Sequence, residues 1–302
     1  MKLNKKYTCA IIGLGKIGLK YDLNRKNFIQ THSKALNNNK YFSLTCGVDV
    51  SLKSLNLFKN TYKKKTFKTL EGLKKSKLKI DMFVIATPTD LHYRNFLFIV
   101  KNFKPNIIVC EKPVSFKSLE IKKISKICIN KKIKFVVNFI RRSDDVFIKL
   151  KKLFEKNNNK VLGKVYYDKG FYHSCSHYLN LMNFWFGKYK SHKIIKIHKR
   201  NKDDSKIDVL INFEKADIQF INTNAKTKRE FILKFNSIKI VKYKNKGITI
   251  NNKRLPFTMK QYQKKFYSEL LKYINNKKEY NLPTIKDVLY NDKIITKILK
   301  KY

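Results

Sequence analysis

The chain has 302 residues, 43% of them hydrophobic, with 22 Phe and 17 Tyr, which excludes a disordered chain and leaves room for one large or two medium domains with buried cores. No run of about 18 apolar residues occurs, so membrane insertion is not expected. The formal net charge of +48 comes from lysines spread along the whole sequence, without a basic tail or an aromatic-interleaved basic stripe; this argues for lysine-filled surfaces and against a specific nucleic-acid partner.

In chain order, "MKLNKKYTCAIIGLG" passes from a short basic lead straight into a buried strand ending in glycines, a pattern unlike a signal peptide. Further strands are expected at "YFSLTCGVDV", "IDMFVIATPT", "PNIIVCEKPV" and "IKFVVNFI". Amphipathic segments lie between them, such as "SLEIKKISKICINKK", with apolar residues at helical spacing. Continuous apolar strands alternating with helices predict an α/β domain with a parallel, doubly wound sheet over residues 1–140. From 141 to 302 the pattern changes. "GKVYYDKG" reads as a strand and "SHYLNLMNFWFG" as a helix closed by Gly187. Then come "HKIIKIHK", "KIDVLINFE", "ADIQFINT", "REFILKF", "SIKIVKY" and "GITI", separated by short turn-like stretches, which predict a mainly antiparallel sheet. Two helical segments close the chain, and the terminal one is a candidate to pack back on the first domain. The second domain is therefore expected to be α+β.

The motif with the clearest mechanism is "GLGKIG", Gly13-x-Gly15-x-x-Gly18, directly after the first strand. Gly13 permits a tight turn, Gly15 lets a pyrophosphate approach the backbone, and Gly18 allows close packing of helix on strand. With Leu14, Lys16 and Ile17 these residues form a candidate dinucleotide loop. Asp49 closes the second strand, where a carboxylate binds an adenosine ribose and repels a 2′-phosphate. NAD is therefore the expected cofactor, with NADP kept open because Lys53 stands nearby. Gly18 and Asp49 are roughly thirty residues apart, against a usual spacing near about twenty; the excess is "YDLNRKNFIQTHS", read as an insertion before or within the first helix. The third and fourth strands end in "ATPTDLH" and "VCEKPVS", at the sheet edge where open α/β sheets bind ligands. A lysine there, Lys112, is a candidate general acid/base.

His173 and His177 in "GFYHSCSHYLN" are four apart and share a helical face, so metal ligation, catalysis and an ordinary polar face are all open from spacing alone. A metal would need further ligands, for which only Cys175, His192 and His198 offer themselves, and Cys175 lies off the shared face. No metal is expected. The five cysteines are scattered without a CxxC pair, as expected of reduced thiols in a cytoplasmic protein. Arg141 and Arg142 follow the fifth strand and could grip a sugar-linked phosphate.

The ordered set "IIGLGKIG", "THSKAL", "GVDV", "FVIATPTDLHYRN", "VCEKPVS", "GFYHSCSHYLNLMNFWFG" and "LPTIKDVLYN" resembles the glucose-fructose oxidoreductase/inositol dehydrogenase (Gfo/Idh/MocA) family nearly end to end. "RRSD" and the spaced "KG-x-x-H-x-x-S-H" segment are similar to a subset from bacterial surface-polysaccharide gene clusters. The resemblance implies an NAD(P)-dependent oxidoreductase that moves a hydride between the nicotinamide and a sugar or nucleotide-sugar CH–OH. Thr87, Pro88 and His92 would border the adenosine side of the cofactor, and Glu111, Lys112 and Pro113 the nicotinamide. Lys112 would act on the substrate hydroxyl together with His177, and Asn180 stands at a substrate-side position. His173 occupies a place where many members have Asp, a departure that bears on substrate choice. The alternative is a non-catalytic NAD(H) sensor or partner protein. A homodimer or homotetramer is expected from the free face of the antiparallel sheet.

Overall fold

The computed structural model describes residues 6–156, 159–199, 204–223, 230–235, 239–244, 247–256, 259–277 and 279–299. The chain divides into two compact units: Met1–Ser115, Leu119–Ile140 and Lys260–Lys286 form the first, and Phe116–Ser118, Arg141–Met259 and Asp287–Tyr302 the second.

In the first unit, β1 (Tyr7–Ile12), β2 (Phe42–Val48), β3 (Lys65–Phe67), β4 (Met82–Ile85), β5 (Ile107–Cys110) and β6 (Lys134–Val137) form one sheet ordered β3-β2-β1-β4-β5-β6. Every pairing is parallel. The connecting helices are α1 (His32–Asn37), α2 (Leu52–Tyr62), α3 (Leu70–Lys75), α4 (Thr89–Asn102) and α5 (Ser118–Asn130). All four residues of β4 and of β5 are buried, as a sheet covered on both faces requires. The strand order reverses between β1 and β4, and ligands bind at the carboxyl edge of such a switch point. Gly13, Asp49, Thr87 and Glu111 all follow strands at that edge.

The first helix is broken. A single widened turn, Lys16–Lys20, follows the glycines, and α1 resumes only at His32. The intervening loop is organised by Asp22, 1% exposed, whose carboxylate accepts from the amides of Gln30 and Thr31 and from the Thr31 hydroxyl. This is the insertion that lengthened the Gly18–Asp49 spacing. Strand β3 and helix α3 occupy a lysine-rich stretch where no element was expected.

The carboxy-terminal segment that falls in the first unit is α8 (Tyr262–Ile274), whereas α9 (Ile285–Leu299) falls mainly in the second. Assigning all of 141–302 to one domain is thereby revised. The cause is an apolar stripe on α8: Phe266, Tyr267 and Leu270 are fully buried in the core that holds Phe42, Leu44 and Val136.

In the second unit an eight-stranded sheet runs β14-β13-β12-β11-β7-β10-β9-β8. Its strands are β7 (Val161–Tyr167), β8 (Tyr189–Lys199), β9 (Lys206–Phe213), β10 (Ala216–Asn222), β11 (Glu230–Phe235), β12 (Lys239–Lys244), β13 (Gly247–Ile250) and β14 (Lys253–Arg254). Pairing is antiparallel except between β10 and β7. Alternation along β9 and β10 sends Val209, Ile211, Ile218 and Phe220 into a core shared with α6 (Asp145–Glu155), α7 (Ser176–Phe186) and α9. The turns expected at 236–238 and 245–246 lie outside the described residues. All five cysteines are free and buried.

Candidate active site

The glycine loop is explained by packing at two positions and not at the third. Gly13 has φ +98°, and a Cβ there would sit 2.6 Å from the Ala86 carbonyl oxygen; a Cβ on Gly18 would meet the Gly13 carbonyl oxygen. A Cβ on Gly15 would find nothing within 4 Å. The protein's own packing therefore does not demand glycine at 15, and the open backbone is what a pyrophosphate needs to approach. Leu14 is buried and Ile17 half-buried, while Lys16 is exposed at the turn. Asp49 is tied to this loop: its Oδ2 accepts from the Leu14 amide at 2.6 Å and its Oδ1 from the Ser51 amide at 2.8 Å. Each oxygen keeps a second lone-pair site for a ribose hydroxyl. These residues fit NAD.

At the ends of β4 and β5, His92 is 1% exposed and bridges two loops, with Nε2 2.8 Å from the Thr87 carbonyl and Nδ1 3.0 Å from the Pro113 carbonyl. Burial lowers its pKa below the ordinary imidazole value, outweighing the opposite pull of the carbonyls and of Glu111. His92 thus braces the loops that carry Thr87, Pro88 and Glu111–Pro113. Asn95 adds a hydrogen bond to the Thr87 hydroxyl. Lys112 is half-buried and precedes a cis proline.

Glu111 lies in a polar cluster that sequence reasoning missed. Its Oε1 accepts from Asn138 Nδ2 at 2.6 Å and lies 3.0 Å from His32 Nε2; His32 Nδ1 is 2.7 Å from the Tyr267 hydroxyl. His32 and Tyr267 are fully buried and Asn138 is 1% exposed. Burial alone would raise the Glu111 carboxyl; the His32 hydrogen bond, the Asn138 amide and the Lys112 charge together hold it below the usual range. The one visible signal was His32 itself, in the quoted "THSKAL".

In the second unit, a widened turn at Phe171–Cys175 leads into α7. Asp204 accepts from the Tyr172 amide at 2.7 Å and the His173 amide at 3.2 Å, fixing the start of this helix. His173 and His177 are half-buried, and Lys169 Nζ is 3.3 Å from His173 Nε2. Cys175 is fully buried in the core. Asn180 is 1% exposed, and its Oδ1 has no hydrogen-bond partner among the described residues. Arg142 is committed within its own unit: Nη1 donates to Asp287 at 2.7 Å, and the guanidinium lies 4.4 Å from the Phe184 ring centroid. Arg141 lies over Tyr178 and Tyr243, at 4.9 and 5.5 Å. No group of three or more His, Cys, Asp or Glu side chains gathers as a metal site among the described residues.

Residues 7–139 match the Gfo/Idh/MocA family model, an oxidoreductase family with an NAD-binding Rossmann fold. The fold is similar to that of the WlbA dehydrogenase from Bordetella pertussis, solved with NADH and UDP-GlcNAcA (TM-score 0.75, 15% identity, 98% of this chain and 95% of that one). It is similar also to a WlbA dehydrogenase from Chromobacterium violaceum, again with NADH and UDP-GlcNAcA (TM-score 0.75, 14% identity, 97% and 92%). A putative myo-inositol dehydrogenase from Sinorhizobium meliloti 1021 has a TM-score of 0.72 at 19% identity, over 98% of each chain. No curated protein matches the sequence.

Proposed function

We propose that this chain, whose residues 7–139 match the Gfo/Idh/MocA oxidoreductase family model, is an NAD-dependent dehydrogenase or reductase acting on a CH–OH group of a sugar or nucleotide-linked sugar. The observation that carries the cofactor assignment is Gly15, bare of neighbours where its two companion glycines are packed tight. Gly13, Leu14, Gly15, Lys16, Ile17 and Gly18 would hold the pyrophosphate, and Asp49 a ribose. Thr87, Pro88, Glu111 and Lys112 would line the remainder, with His92 supporting from behind. Bound NAD supplies a hydride acceptor at the nicotinamide, chemistry no side chain can provide.

Lys112 polarises the substrate hydroxyl or takes its proton, a role that suits a half-buried amine at a strand's carboxyl edge. His177 shares the proton work, imidazole being the side chain best suited to proton exchange near neutral pH. Asn180 offers a buried acceptor to a substrate hydroxyl. His173 stands where the resemblance places an Asp in many members, with Lys169 beside it, and two basic groups in contact favour an anionic substituent such as a carboxylate or phosphate. The nucleotide-sugar ligands of the WlbA structures support that class, and the +48 charge would draw an anion toward the protein. The buried, free thiols support a reducing, cytoplasmic setting.

The outward face of the second unit's sheet supports a homodimer or homotetramer, since Leu162 is 56% and Ile195 50% exposed there. The test of function is an NADH titration followed by nicotinamide reduction with a panel of UDP-linked sugars. Binding with substrate-dependent reduction supports the reading; binding without reduction across the panel favours the sensor alternative.

A further inference from the structure

Three side chains from distant parts of the sequence, two of them fully buried and the third, Glu111, half-buried, form a line that ends beside Lys112. Tyr267, on α8, meets His32 at the start of α1, and His32 meets Glu111 at the end of β5. All three lie in the first unit. A carboxylate, an imidazole, a phenol and the Asn138 amide could be replaced at such positions by apolar groups with less desolvation cost, so a purely structural filling does not call for them. We propose that Tyr267 and His32 are positioning residues that act through Glu111 to set the protonation and placement of Lys112. This deepens the dehydrogenase reading and rests on it for the role of Lys112.

The donors run in one direction. An ionised Glu111 only accepts, so His32 Nε2 carries the proton of the 3.0 Å contact. His32 Nδ1 is then free to accept from the Tyr267 hydroxyl at 2.7 Å. Burial pushes the Tyr267 phenol well above its ordinary pKa, so it keeps its proton. The tautomer of His32 is thereby fixed, and its Nε2–H is aimed at Oε1. Asn138 holds the same oxygen from the end of β6. The carboxylate is clamped from two sides, and the backbone that continues into Lys112 is held with it. The other ionisable groups facing Glu111 are Lys112, His92, Cys110 and Tyr262. Only Lys112 among them is an amine able to share a proton with a sugar hydroxyl.

The experiment measures acetylation of Lys112 by acetic anhydride against pH in the full-length protein, read by mass spectrometry on the peptide that carries it. Replacing His32 by Leu should let Glu111 take a proton and deprive Lys112 of its anion. The labelling midpoint should fall by about one pH unit, a tenfold loss of proton affinity. His32→Gln, which keeps an N–H toward Glu111, should restore most of the wild-type value. Tyr267→Phe should shift the midpoint the same way by less. Glu111→Gln should reproduce the His32→Leu shift, and the two changes together should add little. A purely structural role lowers the melting temperature and leaves the midpoint where it was; that result in His32→Leu and Tyr267→Phe overturns the proposal. If His32→Leu does not fold, Tyr267→Phe decides alone, since it removes one hydroxyl and keeps the ring. The labelling needs no substrate, so failure of this proposal is distinguishable from failure of the dehydrogenase reading, which the separate assay of substrate-dependent nicotinamide reduction reports.

Discussion

Gly15 and Gly13 differ in what they cost to replace. Gly15→Ala meets open space at a negative φ, so the melting temperature should hold or rise slightly, while the added methyl weakens NADH binding by about tenfold or more. Gly13→Ala forces an L-residue to φ +98° against Ala86 and should cost roughly 1–3 kcal/mol or more in urea unfolding. Lys112→Ala should leave the NADH dissociation constant near wild type and cut turnover by about a hundred- to ten-thousand-fold; affinity and turnover falling together would contradict its role. His92 has a folded pKa below its unfolded value, so the unfolded chain binds protons first as pH drops. Its contribution is full above about pH 6.5 and is lost as pH falls through the lower folded value. Urea midpoints should therefore decline more steeply between about pH 7 and about pH 5 in wild type than in His92→Asn. The glycines and Lys112 were legible because their spacing is local. The His32–Glu111–Tyr267 line was not, because it joins residues 79 and 235 positions apart, and no local pattern announces such a meeting.

At the scale of elements, the parallel strands were readable because burial on both faces writes an unbroken apolar run, as in β4 and β5. Helix α6 was missed although its signal is present: Asp144 accepts from the Val146 amide at the helix start, and Val146, Phe147, Leu150 and Phe154 fall on one buried face. The adjacent "RRSD" drew the reading toward ligand binding instead. Helix α8 is tied to the first unit by more than apolar packing. Lys134 Nζ donates to the carbonyls of Tyr273 and Ile274 and to Asn276 Oδ1, capping the helix's carboxyl end from β6. Lys134→Met should lower unfolding free energy by about 1 kcal/mol, with earlier hydrogen exchange at the end of α8. Unchanged exchange there would argue against the cap.

For the whole molecule, the sequence marked the change of architecture near residue 140, where alternating strand and helix give way to successive strands. It did not mark the return of residues 260–286 to the first unit, because an amphipathic helix shows which face is apolar and not what covers it. The same limit applies to the outward face of the second sheet. If that face joins copies of the chain, Leu162→Lys with Ile195→Lys should reduce the mass in light scattering while leaving the melting temperature nearly unchanged. The central claim is direct hydride transfer between a sugar carbon and the nicotinamide. It is tested by incubating the protein with NAD and a UDP-linked sugar deuterated at its ring carbinol carbons, then weighing the reduced nicotinamide. The account predicts one deuterium carried to the nicotinamide and loss of that transfer in Lys112→Ala. Reduced nicotinamide bearing only ordinary hydrogen, or none formed across the sugar panel by a protein that binds NADH, would contradict it.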